Sequence, residues 1–360
     1  MKRVLNVIST LEQGGTESVV LNYFNNIDKS EVMFDFLVIW GNKKGYYEDF
    51  LRGQGCNIFK MTSPPNKYFA HGRELKKFFK QEKYDVVHIH AMSSLRYRVA
   101  KAAKQCGVKN VIYHSHNSSG ESHLFLHNLL KNRLNRWCDY KFACSEAAGR
   151  FMYKGEFKII NNAIDVEHFG YNYEYRQALR EKYNLLDKFI VGNIGRLTEV
   201  KNQKFILQVL KPLLKIKSNA VVFCIGAGNE KENLQKFVVD NDLQDSLVLA
   251  DTVGTEVYKY YSMFDCLAFP SKFEGLSVVL IEAQANGLPI VASDTISPEH
   301  KLCENFEFLS IAENETNYSE WAETINILSD KRQQNAEAVS KAGFDIRIEA
   351  KKLQEFYLSL

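Results

Sequence analysis

The chain has 360 residues, of which 45% are hydrophobic and 25% charged, with 6 prolines and 20 glycines. Domains usually run to about 100–200 residues, so this composition implies two compact domains. It excludes disorder, collagen, coiled coil and a long low-complexity linker. The net charge of +3 hides an asymmetry: residues 1–170 hold 25 Lys and Arg against 16 Asp and Glu, whereas the remainder balances at −6. The first half is fitted to an anionic partner (a membrane surface, a phosphorylated substrate or nucleic acid), or else spreads its charge over solvated helix faces.

No apolar run reaches the roughly 18–20 residues that cross a bilayer. The run 4–8, closed by Ser9, is too short for a secretory signal and reads as a first buried strand. Seven scattered cysteines without a C-x-x-C pattern argue against a disulfide framework and a zinc site. A reducing, cytoplasmic setting is expected.

Strands are predicted at 4–8, 34–39, 57–60, 86–90, 110–113, 141–143 and 158–160, with helical patterns at 16–27, 72–81, 95–106 and 123–138 between them. Near-continuous apolar strands alternating with helices imply a parallel sheet covered on both faces. A polar stretch, 169–186, reads as the join between domains. The pattern then restarts, with strands at 189–194, 220–225, 247–249, 266–269 and 290–292 and helices at 202–214, 231–240, 257–261 and 278–286. The tail, 346–360, is amphipathic, with Ile346, Leu353, Phe356 and Tyr357 as packing positions, and could dock back across both domains.

The most informative segment is F-P-S-K-F-E-G-L-S-V-V-L-I-E-A over 269–283. A strand ends at Phe269, a loop carries Glu274 and Gly275, and a helix starts near Ser277. Free N–H groups at such a helix start suit an anion such as a diphosphate. Glu274 can accept hydrogen bonds from sugar hydroxyls, and Glu282, one to two turns into the helix, from a pair of ribose hydroxyls. A lone E-x7-E is weak, since solvated helix glutamates arrive at that spacing by chance; its setting is far more specific. At 195–202, G-R-L-T-E-V-K-N follows a strand and opens a helix, so Arg196 and Lys201 can converge on one pyrophosphate at the strand end where open α/β sheets bind ligands. Ile225-Gly226-Ala227-Gly228 is a tight turn at another strand end.

These segments resemble the signature of glycosyltransferase family 4, the retaining nucleotide-sugar enzymes of GT-B fold, and bacterial capsular and exopolysaccharide glycosyltransferases in particular. The resemblance implies two Rossmann-like βαβ domains facing each other across a cleft: 1–170 on the acceptor side, 187–343 binding the donor, and 344–360 a helix crossing back to the first. It implies that Arg196 and Lys201 hold the donor diphosphate, that Glu274 and Glu282 hold sugar and ribose, and that Gly226, Gly275, Leu276 and Ser277 line the nucleotide and phosphates, with 249–253 as a wall against the base.

In the first half, Gly14-Gly15-Thr16-Glu17 resembles the family's glycine loop, with Gly15 admitting donor phosphate, and is neither a full dinucleotide fingerprint nor a Walker sequence. Histidines pair at i, i+2: His88 with His90 and His114 with His116. Alternation puts each pair on one face, but no carboxylate or cysteine accompanies them at ligand spacing, so no metal is expected. By resemblance His116, with His114 as the fallback, sits near the donor sugar. N-N-A-I-D over 161–165, ending in Phe169, is similar to the family's N-G-x-D-x-x-x-F, with Ala163 in place of Gly, and reads as a turn closing the first domain.

The implied reaction moves a sugar from a nucleotide-diphosphate donor, UDP before GDP, to a hydroxyl of a glycan or lipid-linked acceptor, with no cofactor and no metal. Surface polysaccharide assembly is the implied setting, with peripheral contact to an anionic inner membrane face and no nucleic-acid partner. Two other readings are open: a GT-B synthase acting on a soluble sugar phosphate, and a non-catalytic sugar-nucleotide-binding protein.

Overall fold

Val, Ile, Leu and Phe at successive positions can only be buried if a strand is covered on both faces, and the computed structural model has this arrangement twice. It describes every residue except 42 and 118–123, together with the side chain of Leu126. His123, the expected start of one helix, lies outside the described residues. The chain folds as two units, Met1–Ala163 with Ile346–Leu360, and Ile164–Asp345.

The first unit runs β1 (Lys2–Ile8), α1 (Gly15–Asn26), β2 (Val32–Val38), α2 (Glu48–Gly53), β3 (Ile58–Lys60), α3 (Tyr68–Gln81), β4 (Val86–Ala91), α4 (Tyr97–Gln105), β5 (Asn110–Ser115), α5 (Leu124–Asn135), β6 (Tyr140–Ala143), α6 (Glu146–Met152) and β7 (Lys158–Ile159). Its sheet is parallel, in the order β3-β2-β1-β4-β5-β6-β7. Right-handed crossovers toward β3 put α1 and α2 on one face, whereas those toward β7 put α3, α4 and α5 side by side on the other. Contacts of α4 with both α3 and α5 agree with this.

The second unit runs α7 (Tyr173–Lys182), β8 (Phe189–Ile194), α8 (Gln203–Ile216), β9 (Ala220–Ile225), α9 (Lys231–Asp240), β10 (Leu247–Ala250), α10 (Val257–Met263), β11 (Cys266–Phe269), α11 (Val278–Ala285), β12 (Ile290–Ser293), β13 (Phe306–Leu309), α12 (Glu315–Leu328) and α13 (Ala336–Val339). Its parallel sheet is ordered β10-β9-β8-β11-β12-β13. Alternate strand residues feed two cores. Val191, Val222, Cys224 and Ala268 pack with Phe205 and Trp321 on one face, and Ile190, Val221, Phe223 and Leu267 with Tyr261 and Phe264 on the other.

The polar stretch 169–186 is more than a join. It contains α7, packed on α10, because Arg180 is buried: its guanidinium donates to the Met263 carbonyl and pairs with Asp265 at 2.8 Å. The last helix, α14 (Ile346–Ser359), belongs to the first unit, where it packs on α1. Ile346, Leu353 and Tyr357 are buried, whereas Phe356 is half-buried against the rings of Tyr140 and Phe142. Among the described residues no helix is long and apolar enough to cross a membrane.

Candidate functional site

In the second unit, β8, β9 and β11 end at one rim, and the loops that follow them touch. The Gly195 N–H donates to the Ile225 carbonyl at 3.0 Å and the Leu197 N–H to the Ala227 carbonyl at 2.9 Å. A Cβ on Gly226 would lie 2.0 Å from the Gly195 oxygen, and one on Gly228 2.0 Å from the Leu197 oxygen. The two glycines of this turn are thus required by the protein itself, so that two strand-end loops can close on each other.

Those loops present Arg196 and Lys201. Beneath them Gln203, the first residue of α8, donates to the Arg196 carbonyl at 3.0 Å and to Asn193 Oδ1 at 3.2 Å, fixing the backbone from below. The Arg196 side chain is exposed and, among the described residues, its guanidinium has no hydrogen-bond or ion-pair partner. Lys201 is tucked in. Its stem passes Gly195, its ammonium lies 5.2 Å from the Phe269 ring centroid, and it forms an ion pair with Glu274. The loop carrying Glu274 is tied to the same rim by the Lys272 N–H on the Val200 carbonyl at 2.8 Å and by a Lys272–Glu199 ion pair at 3.1 Å. Two cations and a carboxylate, remote in sequence, therefore share one strand-end rim.

The following segment is less open than its sequence suggests. Gly275 is half-buried, Leu276 and Ser277 are buried, and the Ser277 N–H is already used: it donates to His300 Nε2 at 2.9 Å. His300 in turn donates from Nδ1 to the Ser297 carbonyl at 2.7 Å. Both ring nitrogens are thus assigned, and burial pushes this imidazole below its ordinary pKa, toward the neutral form. The expectation of free N–H groups at this helix start is corrected at Ser277, whose donor is bonded within the chain. Nothing in the sequence marks His300, which stands 23 residues away from its partner.

Glu282, on the second turn of α11, is not a solvated helix residue. It accepts from the Tyr261 hydroxyl, and burial pushes its carboxyl up to about 7.

In the first unit the rim at the ends of β4 and β5 carries the four histidines. Their rings stack, with centroids 4.2 Å apart for His88–His90 and for His114–His116. Asn6 Oδ1 accepts from His90 Nε2 at 3.0 Å, so His90 Nδ1 accepts from His116 Nε2 at 2.9 Å. His88 bonds the Tyr357 hydroxyl of α14 at 2.6 Å and His114 Nδ1 at 3.2 Å. Burial depresses all four, His116 to about 3, so each is neutral near pH 7. Nitrogens of His88, His90 and His114 lie within 4.8 Å of one another. Most of these nitrogens are already engaged: His88 with Tyr357 and His114, and His90 with Asn6 and His116.

Gly15, which opens α1, is exposed, and among the described residues a Cβ there would meet no tertiary neighbour within 4 Å. No contact among them demands this glycine.

Comparison with known proteins shows the family and the fold. The family model described as Glycosyltransferase Family 4 matches residues 13–168, and that described as Glycosyl transferases group 1 matches residues 175–344. A Bacillus subtilis protein named as glycosyltransferase EpsF is 30% identical over 96% of this chain and 93% of its own length. The capsular polysaccharide biosynthesis glycosyltransferase CapH of Staphylococcus aureus is 25% identical over 100% of this chain and 99% of its own. The crystal structure of HepE from Anabaena in complex with UDP superposes with a TM-score of 0.79 at 18% identity, covering 100% of both chains, which shows a shared GT-B fold.

Proposed function

The chain belongs to glycosyltransferase family 4 and is a glycosyltransferase of GT-B fold, and from that premise we propose that it transfers a sugar from a UDP-sugar with retention at the anomeric carbon. The acceptor is a hydroxyl of a glycan or lipid-linked glycan in surface polysaccharide assembly, a setting supported by the likeness to CapH. The observation that carries the reading is the rim where Arg196, Lys201 and Glu274 meet over the ends of β8 and β11.

As the C1–O bond of the donor breaks, positive charge grows on the sugar ring and negative charge on the departing diphosphate. Arg196 and Lys201 take that negative charge, and such preorganised electrostatics is usually the largest catalytic contribution. Because these cations do that work, the reaction needs no metal ion. Without ligand, Glu274 neutralises the Lys201 ammonium; a diphosphate displaces it, leaving the carboxylate to hold sugar hydroxyls. Glu282 receives the ribose. Leu276, Gly275 and Gly226 form the wall around the phosphates and base. For the first unit we assign Gly15 to ligand approach and His116 to a neutral hydrogen bond with the sugar. The leaving phosphate accepts the acceptor's proton on the same face, so no carboxylate has to attack.

The test is hydrolysis of a panel of nucleotide sugars, with a chelator present, by wild type, Arg196→Ala and Lys201→Ala. Each substitution removes a charge-assisted contact and should slow turnover of the best donor by about 100-fold or more. Near-normal rates in both variants, or strict dependence on added divalent metal, would count against these assignments.

A further inference from the structure

We infer that the first unit carries a subsite for one neutral pyranose ring, at the ends of β1, β2 and β3, with Trp40 as its platform. The loop that follows β2 is tightly built. Its Trp40 N–H donates to the Ser9 carbonyl at 2.9 Å, and its Tyr47 N–H to the Leu11 carbonyl at 3.0 Å. A Cβ on Gly45 would lie 2.5 Å from Leu11 Cβ, so the loop is pressed against the segment after β1. Yet it leaves its largest side chain in water: Trp40 is 47% exposed, and Tyr46 and Phe50 are exposed as well. A fixed loop that presents aromatic rings to solvent marks a binding surface.

Beside Trp40 lies a cavity of about 280 Å³, near the lower end, about 300 Å³, of small-molecule clefts. It has room for one sugar ring and not for a nucleotide sugar. Glu48 and Lys60 also line it, paired at 2.6 Å. Glu48 is buried, and Arg52 at 3.1 Å and the Gly45 N–H at 3.3 Å hold its carboxylate in place. Burial pushes this carboxyl up, but Lys60, Arg52 and that N–H outweigh it and keep the group below its ordinary pKa. Lys60 donates in addition to the Lys43 carbonyl at 3.0 Å, and among the described residues its third N–H is unused.

A pyranose has apolar C–H faces and an edge of hydroxyls. It needs a flat apolar platform with a few fixed polar groups beside it, which Trp40, Glu48 and Lys60 supply. Charge selects further, since the lining carries two acids, Glu12 and Glu48, and two cations, Lys43 and Lys60. A balanced lining favours a neutral hexose or N-acetylhexosamine over a uronic acid or a sugar phosphate.

Position gives the ring its place in the acceptor. The sheet is parallel, so this cavity and the histidine rim at β4 and β5 lie along one edge. The end of β2 is two places from β4, hence about 10 Å away at the usual strand spacing of about 4.8 Å. Ser9 joins the two stretches. Its carbonyl takes the Trp40 N–H, and its hydroxyl accepts from Arg96, which also donates to the His90 carbonyl at 3.0 Å. That span suits a disaccharide. The inference rests on the glycan-acceptor reading above: with the terminal sugar at the histidine rim, a sugar further back in the chain sits on Trp40. The acceptor must then be at least a disaccharide, so a preceding transferase has to join two neutral sugars before this enzyme acts.

The test is an array of immobilised mono- to tetrasaccharides, neutral and acidic, probed with the full chain in the absence of donor and followed by titration of each hit. At least one neutral di- or longer saccharide should bind, and its terminal monosaccharide about tenfold or more weakly. Binding should fall about tenfold or more in Trp40→Leu and by less in Trp40→Phe, which keeps an aromatic platform. Both variants should unfold at the wild-type urea concentration, because the indole is exposed. Full binding by Trp40→Leu, a preference for acidic saccharides, or no saccharide binding at all overturns the proposal. A Trp40 whose fluorescence answers to lipid vesicles and to no saccharide also overturns it. A wild type that binds a saccharide through Trp40 but turns over no nucleotide sugar would sink the enzymatic reading and leave the subsite standing. Donor turnover without Trp40-dependent binding would sink the subsite alone.

Discussion

His300→Ala is the sharpest probe of how the donor loop is held. The imidazole spans two segments, accepting from the Ser277 N–H and donating to the Ser297 carbonyl, and it is fully buried. Its removal leaves the Ser277 donor unsatisfied, while the Ser297 carbonyl keeps the backbone N–H of residue 300 at 3.2 Å. A buried donor left unpaired costs about 1–3 kcal/mol, and the cavity adds to that. Unfolding in urea should therefore show a loss of about 2–4 kcal/mol. The loop from Glu274 to Ser277 also loses its anchor, so kcat/KM for donor hydrolysis should drop about tenfold or more, chiefly through KM, as expected when about 1.4 kcal/mol of positioning is lost. His300→Gln, which can still accept from Ser277, should recover part of the KM effect. There is a pH signature too. The native pKa is below the ordinary histidine value, so the unfolded chain binds a proton that the native state refuses, and stability rises with pH through that window, levelling off above about 6.5. In His300→Gln that component should vanish. If His300→Ala unfolded at the wild-type urea concentration and kept its donor KM, the bond would not be what holds the loop.

Glu282→Gln tests the buried carboxyl. Its native pKa of about 7 lies above its unfolded value, so stability from the neutral form is complete at low pH and drains away as pH rises through 7. The glutamine variant should be more stable than wild type at pH 8, by up to about 3 kcal/mol, and should equal it in acid; the same gain at every pH would refute the assignment. In Gly226→Ala the new methyl meets the Gly195 oxygen at 2.0 Å, so the loops that carry Arg196 must part. A loss of about 2 kcal/mol or more in thermal or urea unfolding, with weakened donor binding, is expected, and an unchanged melting curve would contradict the geometry.

What could be read from the residues follows a physical line. Strands such as Ala220–Ile225 are legible because they are apolar at every position, and only a sheet covered on both faces explains that. The polar helix α7 was not. Tyr173–Lys182 has Leu179 as its one buried apolar residue and is held by Arg180, whose partners Met263 and Asp265 lie more than eighty positions on. Separations of 23 and 21 positions are enough to hide His300 from Ser277 and Tyr261 from Glu282, and the second makes a carboxyl held by a tyrosine look like a solvated one.

The rim itself was legible because each part is local: Gly195 to Lys201 is one strand-to-helix turn, and Phe269 to Glu282 is another. Sequence could not show that, without ligand, the two turns neutralise each other through Lys201 and Glu274. Both side chains are mostly buried, so an unpaired charge on either would be costly, and the pair keeps the rim assembled while no phosphate is there. On the proposed reading, a donor diphosphate must therefore out-compete an acid already in contact. Donor binding would then depend on how well sugar hydroxyls reuse the freed carboxylate, which would make Glu274 part of donor selection as well as of sugar positioning.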